Sequence, residues 1–186
     1  MSPPVEDSPV YSPEDRALLL RTAHHAIETA LGQQPSLALP KAPAHLHEPR
    51  GAFTTLYLAG RLRGCIGYVA AVKPLIQTVA ESAVSAAFHD PRFPGVTAQE
   101  APHLQIEISV LSLPQAIRPE QIIPGRHGLV VSQGSRRGLL LPQVAEEQGW
   151  DAPTFLAQTC IKAGLPADAW RKDATIEAFT AEVFGE

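Results

Sequence analysis

Two stretches of the chain carry apolar residues at helical spacing. The first begins at Ser12, a residue type that caps helices, and runs to Gly32. Its apolar stripe comprises Leu19, Ala23, Ala26, Ile27, Ala30 and Leu31. The second stretch, "PLIQTVAESAVSAAFHD" (74–90), is followed by Pro91 and Pro94, which cannot continue a helix. We therefore predict a long helix in each stretch.

Alternation of apolar and polar residues predicts strands elsewhere. It is clearest in "LQIEISVL" (104–111), where Gln105, Glu107 and Ser109 share one face and the apolar residues share the other. The other predicted elements are a loop over 33–50, hairpins over 52–69 and 127–142, short helices around 143–149 and 152–163, and a closing strand over 174–184. Helices and hairpins interspersed in this way indicate an α+β fold with largely antiparallel sheets packed with helices.

Composition and charge indicate which broad class of protein the chain belongs to. The chain has 186 residues, of which 45% are hydrophobic and 18% charged, and a net charge of −4. Such a balance is typical of a soluble globular protein, and the acidic excess argues against a nucleic-acid binder. No apolar run approaches the roughly 18 residues that span a bilayer. We expect a disordered lead-in over residues 1–11, a single domain over 12–186, no secretion signal and a cytoplasmic location.

The two cysteines, Cys65 and Cys160, are expected to be free thiols in a reducing compartment. Closely spaced cysteines that would indicate a metal or cluster site are lacking. The His45-x-His47 pair lies in a proline-rich loop, where solvation explains it better than metal ligation does. The sequence therefore predicts no metal site and leaves any cofactor unknown.

Cys65 stands between two glycines in "RLRGCIGYV" (61–69), a strand sequence poorly chosen for stability because glycine gives up packing. Strict alternation would place Arg63, Cys65 and Gly67 on one face, with Gly64 on the other. A cation near a thiol raises its thiolate fraction, and Gly67 would leave an empty slot beside the sulfur for a ligand. One interpretation is thus a thiol primed for nucleophilic, redox or metal chemistry. The other is a small buried cysteine among glycines that allow close packing.

Further candidates lie in "HDPR" (89–92) and on the polar face of the strand 104–111. His89 and Arg92 could bring a base and a cation towards Cys65, although a histidine here could equally stabilise a helix end. Glu107 is an acid in an otherwise apolar strand and could transfer protons, or could simply face solvent. We therefore name Cys65, Arg63, Glu107 and His89 as candidate catalytic residues. Gly64, Gly67 and Arg92 are the candidate ligand-binding residues.

The run "LRGCIG" (62–67) resembles the signature of the AMMECR family, whose prokaryotic members are called component A of the AmmeMemoRadiSam system. The resemblance continues in "AAFHDPRFPGVTAQEAPHLQIEISVLS", "GLLLPQVAEEQGW" and "CIKAGLPADAW", and covers about residues 15–184. It implies an α+β protein with a larger lobe, about 12–120, and a smaller lobe, about 121–186. It also implies that the signature strand lies near the cleft between the lobes.

The resemblance implies a Memo-like protein and a radical-SAM protein as partners, but no reaction. Two functions from different classes therefore stay open. In the first, the protein is an enzyme, or an enzyme subunit, that acts on a small molecule through a pocket containing Cys65 and Arg63. Alternatively, it is a non-catalytic adaptor for those partners, with nucleotide or RNA binding a weaker third possibility that the net charge opposes.

Overall fold

A computed structural model of the protein describes residues 11–33 and 38–186. All of the predicted lead-in except Tyr11 lies outside these residues. The helices are α1 (Pro13–Ala30), α2 (Leu75–Phe88), α3 (Pro142–Gln148) and α4 (Ala152–Lys162). The strands are β1 (Ala52–Leu58), β2 (Arg61–Tyr68), β3 (Leu104–Leu111), β4 (Gln115–Ala116), β5 (Gly128–Gln133), β6 (Arg136–Leu140), β7 (Thr175–Phe179) and β8 (Ala181–Gly185). The predicted α+β class with antiparallel sheets is confirmed.

The chain divides into two compact units. The N-terminal unit holds the described residues up to Leu111 together with Glu182–Glu186, and the C-terminal unit is Ser112–Ala181. Each unit has one four-stranded sheet, in the order β2-β1-β3-β8 in the N-terminal unit and β4-β7-β5-β6 in the C-terminal unit. No helix in the described residues is both long and apolar enough to cross a membrane.

The two long helices form for the reasons that the sequence indicates. At the start of α1, the Ser12 hydroxyl accepts from the backbone N–H of Asp15, and the Asp15 carboxylate accepts from the backbone N–H of Ser12. Helix α2 is rich in alanine, and most of its residues are buried. Small side chains let α2 lie close to both α1 and the sheet. The helices therefore cover one face of the N-terminal sheet.

That helix-covered face contains Ala52, Thr54 and Leu56 of β1, all buried, and the apolar residues of β3. The intervening residues of β1, Thr55 among them, lie on the opposite face, which we call the second face. Side chains there are half-buried or exposed. Because side chains alternate in a strand, the second face also receives Glu107 of β3.

One predicted element is wrong. The closing strand expected over 174–184 is two strands in different sheets: β7 in the C-terminal unit and β8 in the N-terminal unit. They are separated by Thr180, whose backbone N–H donates to the Ser112 hydroxyl and whose carbonyl accepts from the Ser112 backbone N–H. Thr180, with both backbone groups hydrogen-bonded to Ser112, is thus the point at which the chain passes from the sheet of β7 to the sheet of β8.

Candidate active site

A row of three side chains crosses the second face of the N-terminal sheet. Thr55 of β1 is paired in register with Cys65 of β2 on one side and with Glu107 of β3 on the other. All three are half-buried. We call them the polar row. It brings together two of the predicted catalytic residues, Cys65 and Glu107, with Thr55 between them.

Thr55 forms a hydrogen bond to the sulfur of Cys65. Its hydroxyl Oγ1 donates to Cys65 Sγ at 3.3 Å. Tyr57, two residues further along β1, lies on the same face. Burial raises the pKa of Tyr57, and the negative charges of Glu107 and of an ionised Cys65 raise it further. The phenol therefore keeps its proton and is a potential hydrogen-bond donor beside the row.

Sequence reasoning missed Thr55 and Tyr57. Each is an ordinary strand residue, and nothing in its local sequence marks it. The signal that could have found them is the strand pairing, since the hairpin over 52–69 places some residue of its first strand opposite Cys65. Choosing Thr55 requires the register, which the sequence leaves open.

Asp90 connects the sulfur-bearing strand to the turn after α2. Strand β2 is at the edge of its sheet, and the backbone N–H of Cys65 donates to Asp90 Oδ2 at 2.9 Å. Arg92 donates to the same carboxylate from its backbone N–H, from Nε at 3.0 Å and from Nη2 at 2.8 Å. Asp90 is buried, and its hydrogen bonds from Arg92 and from the Cys65 backbone hold its pKa well below the usual range. The carboxylate is therefore ionised at neutral pH and orients Arg92.

Arg92 is the cation beside Cys65. The hydrogen bond to Asp90 raises the pKa of Arg92, and the charges of Asp90 and of an ionised Cys65 raise it further. Since Oδ2 of Asp90 accepts from both the Cys65 amide and Nη2 of Arg92, the guanidinium is fixed close to the Cys65 backbone. The predicted ligand-binding residue Arg92 thus lies next to the predicted nucleophile.

The prediction that Arg63 shares a face with Cys65 is wrong. Leu56 pairs with Gly64 and Tyr57 with Leu62, so Arg63 is an extra residue in a β-bulge and strict alternation fails there. The Arg63 guanidinium is buried. It makes a two-bond ion pair with Glu100 and donates to two carbonyls in the loop after α2, those of Pro94 and Gly95.

Arg63 therefore binds that loop to β2. The Arg63 side chain and the Thr97 backbone both donate hydrogen bonds to Glu100, and these bonds lower the pKa of Glu100 to about 2.

The two glycines of the signature serve packing. A Cβ at Gly64 would collide with the backbone carbonyl of Ala86, so this glycine lets α2 approach the strand closely. A Cβ at Gly67 would collide with the ring of Phe53, which lies over the glycine. The slot that we expected to be empty at Gly67 is filled, and neither glycine offers room for a ligand at its α-carbon.

His89 and His45 are not members of the polar row. His89 is the exposed C-terminal cap of α2, and within the described residues no side-chain hydrogen bond joins it to Cys65. His45 bonds instead to Asp15, with 2.9 Å between Nε2 and Oδ2. Across residues 11–33 and 38–186, no three or more His, Cys, Asp or Glu side chains are grouped as metal ligands. Both cysteines are free thiols, and Cys160 is buried in the core of the C-terminal unit.

Comparison with known proteins identifies the family. The AMMECR1 family model matches residues 20–184. The chain belongs to the AMMECR1 family. A Methanothermobacter thermautotrophicus relative is 45% identical over 184 residues, covering 94% of this chain and 96% of its own length. A relative from Pyrococcus furiosus is 44% identical, with 90% of this chain and 86% of the relative covered.

The fold of this AMMECR1 family member is also found in a solved structure. The crystal structure of an uncharacterized protein from Pyrococcus horikoshii superposes with a TM-score of 0.75. The two chains are 42% identical, and the match covers 90% of this chain and 89% of the other. The family is therefore shown, while the chemistry has to be argued from the polar row and its neighbours.

Proposed function

We propose that the protein is an enzyme, or an enzyme subunit, that uses the Cys65 thiol as a nucleophile towards a small molecule. The observation that carries the proposal is the polar row. One half-buried thiol accepts a hydrogen bond from Thr55, with the acid Glu107 in register on the other side of that threonine and the cation Arg92 at the strand edge. A buried cysteine kept only for packing has no need of such neighbours.

The arrangement supports one balanced chemical step. The Cys65 thiol loses its proton, and the base is the carboxylate of Glu107, in register on the far side of Thr55. The sulfur electron pair then forms a bond to an electrophilic carbon of the substrate, and the displaced group leaves with the electron pair of the broken bond. Thr55 donates to the sulfur while it is negatively charged, and Tyr57 can donate to the leaving group because it keeps its proton.

The reactivity of Cys65 is tested by its rate of alkylation with iodoacetamide, resolved by peptide mass spectrometry, with buried Cys160 as an internal reference. We expect Cys65 to react faster than glutathione at the same pH. Thr55→Val should slow this alkylation about threefold, because it removes one hydrogen bond to the thiolate. Glu107→Gln should also slow it and should abolish turnover, because it removes the carboxylate that takes the thiol proton.

The function itself is tested by untargeted metabolite profiling of cells that lack the gene. We expect one metabolite to accumulate, to return to normal with the wild-type gene, and to stay high with Cys65→Ala or Glu107→Gln. Rescue by Cys65→Ala would contradict the proposal. A Cys65 that reacts no faster than glutathione with iodoacetamide would also contradict it.

A second candidate function is a non-catalytic adaptor for a Memo-like protein and a radical-SAM protein. The observation that favours it is the edge position of β2, where Leu62, Tyr68 and the nearby Val72 are exposed apolar or aromatic side chains. In that case, co-purification with the two partners should survive Cys65→Ser and be lost with Leu62→Asp or Val72→Asp.

A further inference from the structure

The guanidinium of Arg92 uses only one of its two hydrogen-bonding edges. Nε and Nη2 form the side-on edge, and they bind Oδ1 and Oδ2 of Asp90 respectively. The end-on edge, formed by Nη1 and the second N–H of Nη2, binds no group within the described residues. The Arg92 side chain is 56% exposed, so this edge can be reached from solvent.

Two neighbours fix the direction of that edge. Asp90 is almost fully buried, with a side-chain exposure of 2%, so its carboxylate is a rigid partner. The Phe93 ring lies 5.5 Å from the central carbon of the guanidinium and restricts it further. An arginine held this way loses little conformational entropy on binding a planar anion with its remaining edge.

The Asp90 carboxylate that orients Arg92 also binds the strand that carries Cys65. Oδ2 of Asp90 accepts from Nη2 of Arg92 and also from the backbone N–H of Cys65. One buried oxygen atom thus sets the position of the guanidinium relative to the strand that carries the sulfur. The acid Glu107 lies on the other side of the polar row, two strands away from this edge.

We propose that the end-on edge of Arg92 binds the carboxylate or phosphate group of an anionic substrate whose electrophilic carbon is presented to Cys65. The proposal rests on the proposed function and adds the substrate class. Arg92 contacts the substrate, and Asp90 is a positioning residue that acts through Arg92. The anionic group lies at the β2 edge and not at the opposite end of the row, where Glu107 would repel it.

Two alkylating agents of similar size test the proposal. Iodoacetate carries a carboxylate and iodoacetamide does not, so the ratio of their rates at Cys65 measures anion recognition separately from thiol reactivity. We divide the rate with iodoacetate by the rate with iodoacetamide. We expect this ratio to be about fivefold higher in the wild type than in Arg92→Gln, as for one partly exposed charge-assisted contact. Arg61→Gln, which removes an exposed arginine at the start of the same strand, should leave the ratio unchanged.

Asp90→Asn should lower the ratio although Arg92 is still present, because the guanidinium loses its fixed direction. Arg92→Lys keeps a charge next to Asp90 but lacks the planar fork, so it should give an intermediate ratio. It also serves as the test if Arg92→Gln does not fold. Adding inorganic phosphate or acetate at constant ionic strength distinguishes the two kinds of anion, because the preferred one should abolish the iodoacetate preference at the lower concentration.

The outcomes separate the two proposals. If Cys65 reacts rapidly with iodoacetamide but Arg92→Gln leaves the ratio unchanged, the anion site is wrong and the reactive thiol stands. An equal loss of ratio in Arg61→Gln would also overturn the anion site, because a diffuse positive field would then explain the preference. If Cys65 is as slow as glutathione towards iodoacetamide, the nucleophile of the proposed function is wrong.

Discussion

Arg63 and Arg92 show how far a residue's role depends on the groups that its side chain reaches. Arg63 is two positions from Cys65 in the sequence, yet its guanidinium binds Glu100 and two carbonyls in the loop after α2. Arg92 is 27 positions away in the sequence, yet Asp90 holds it beside the Cys65 backbone. A side chain as long as arginine can satisfy its five donors in several directions, so sequence distance says little about where its charge acts.

Gly64 allows a prediction at the scale of one residue. Gly64→Ala should destabilise the protein by about 2 kcal/mol, because its Cβ would collide with the backbone of α2 and a backbone carbonyl cannot rotate away as a side chain can. Urea unfolding followed by circular dichroism measures the loss.

Gly95→Ala is the matched control for Gly64→Ala. A Cβ at Gly95 would meet only the Phe88 ring, at 3.5 Å from Cδ1, which is an ordinary contact. We expect a change within about 0.5 kcal/mol. Equal effects at the two positions would contradict the close approach that we assign to Gly64.

At the scale of elements, the bulge in β2 joins a strand to a loop. The extra residue turns Arg63 towards the loop after α2, where it bonds to Glu100 and to the carbonyls of Pro94 and Gly95. Glu100 in turn accepts from the backbone N–H and the hydroxyl of Thr97. The bulge therefore holds the loop that follows Asp90 and Arg92, which supports the geometry of the candidate site.

This ion pair makes stability depend on pH. The folded-state pKa of Glu100 is about 2, below its ordinary value of 4.5. Since a depressed carboxyl pKa stabilises the folded state only while the group is ionised, the contribution is complete above pH 4.5 and is lost as the pH falls towards 2.

Thermal unfolding of the wild type and of Glu100→Gln over this pH range tests the assignment. Asp15 and Asp90 also have lowered pKa values and lose stability in the same direction, so the difference between the two proteins isolates Glu100. We expect the wild type to be more stable at pH 6 and the difference to shrink as the pH falls. A difference that is constant with pH would contradict the ion pair.

At the scale of the whole molecule, the residues that the structure describes form two hydrophobic cores. One contains Leu56, Ile106 and the buried face of α2, and the other contains Leu129, Phe155 and Leu156. The two sets of buried residues have no member in common. Each unit therefore has its own source of stability, and the candidate site belongs to the N-terminal unit.

Hydrogen exchange tests this division. Phe155→Ala should cost about 3–5 kcal/mol in the C-terminal core, lower amide protection in β5 and β7, and leave the alkylation rate of Cys65 unchanged. Leu56→Ala should lower protection in β1, β2 and β3 instead, and should change the reactivity of Cys65. Loss of protection throughout the chain in both variants would show a single cooperative unit.

The local features of the fold could be predicted from the sequence. Ser12 begins α1, the apolar stripe over 74–90 forms α2, and the alternation over 104–111 forms β3, with Glu107 on its polar face. These predictions succeed because capping, helical periodicity and strand alternation depend on residues only a few positions apart. The glycines on either side of Cys65 marked its strand as unusual, because glycine gives up side-chain packing in a strand.

Only the tertiary structure decided which of these residues meet. The bulge at Arg63 removes its charge from the face of Cys65, the register of three strands places Thr55 between Cys65 and Glu107, and Asp90 brings Arg92 to the strand edge. The segment 174–184 likewise divides between two sheets at Thr180, whose backbone groups are hydrogen-bonded to Ser112. Register, bulges and side-chain hydrogen bonds between distant segments depend on the packing of the whole unit. Local sequence sets only the type of element and, where no bulge interrupts the alternation, its faces.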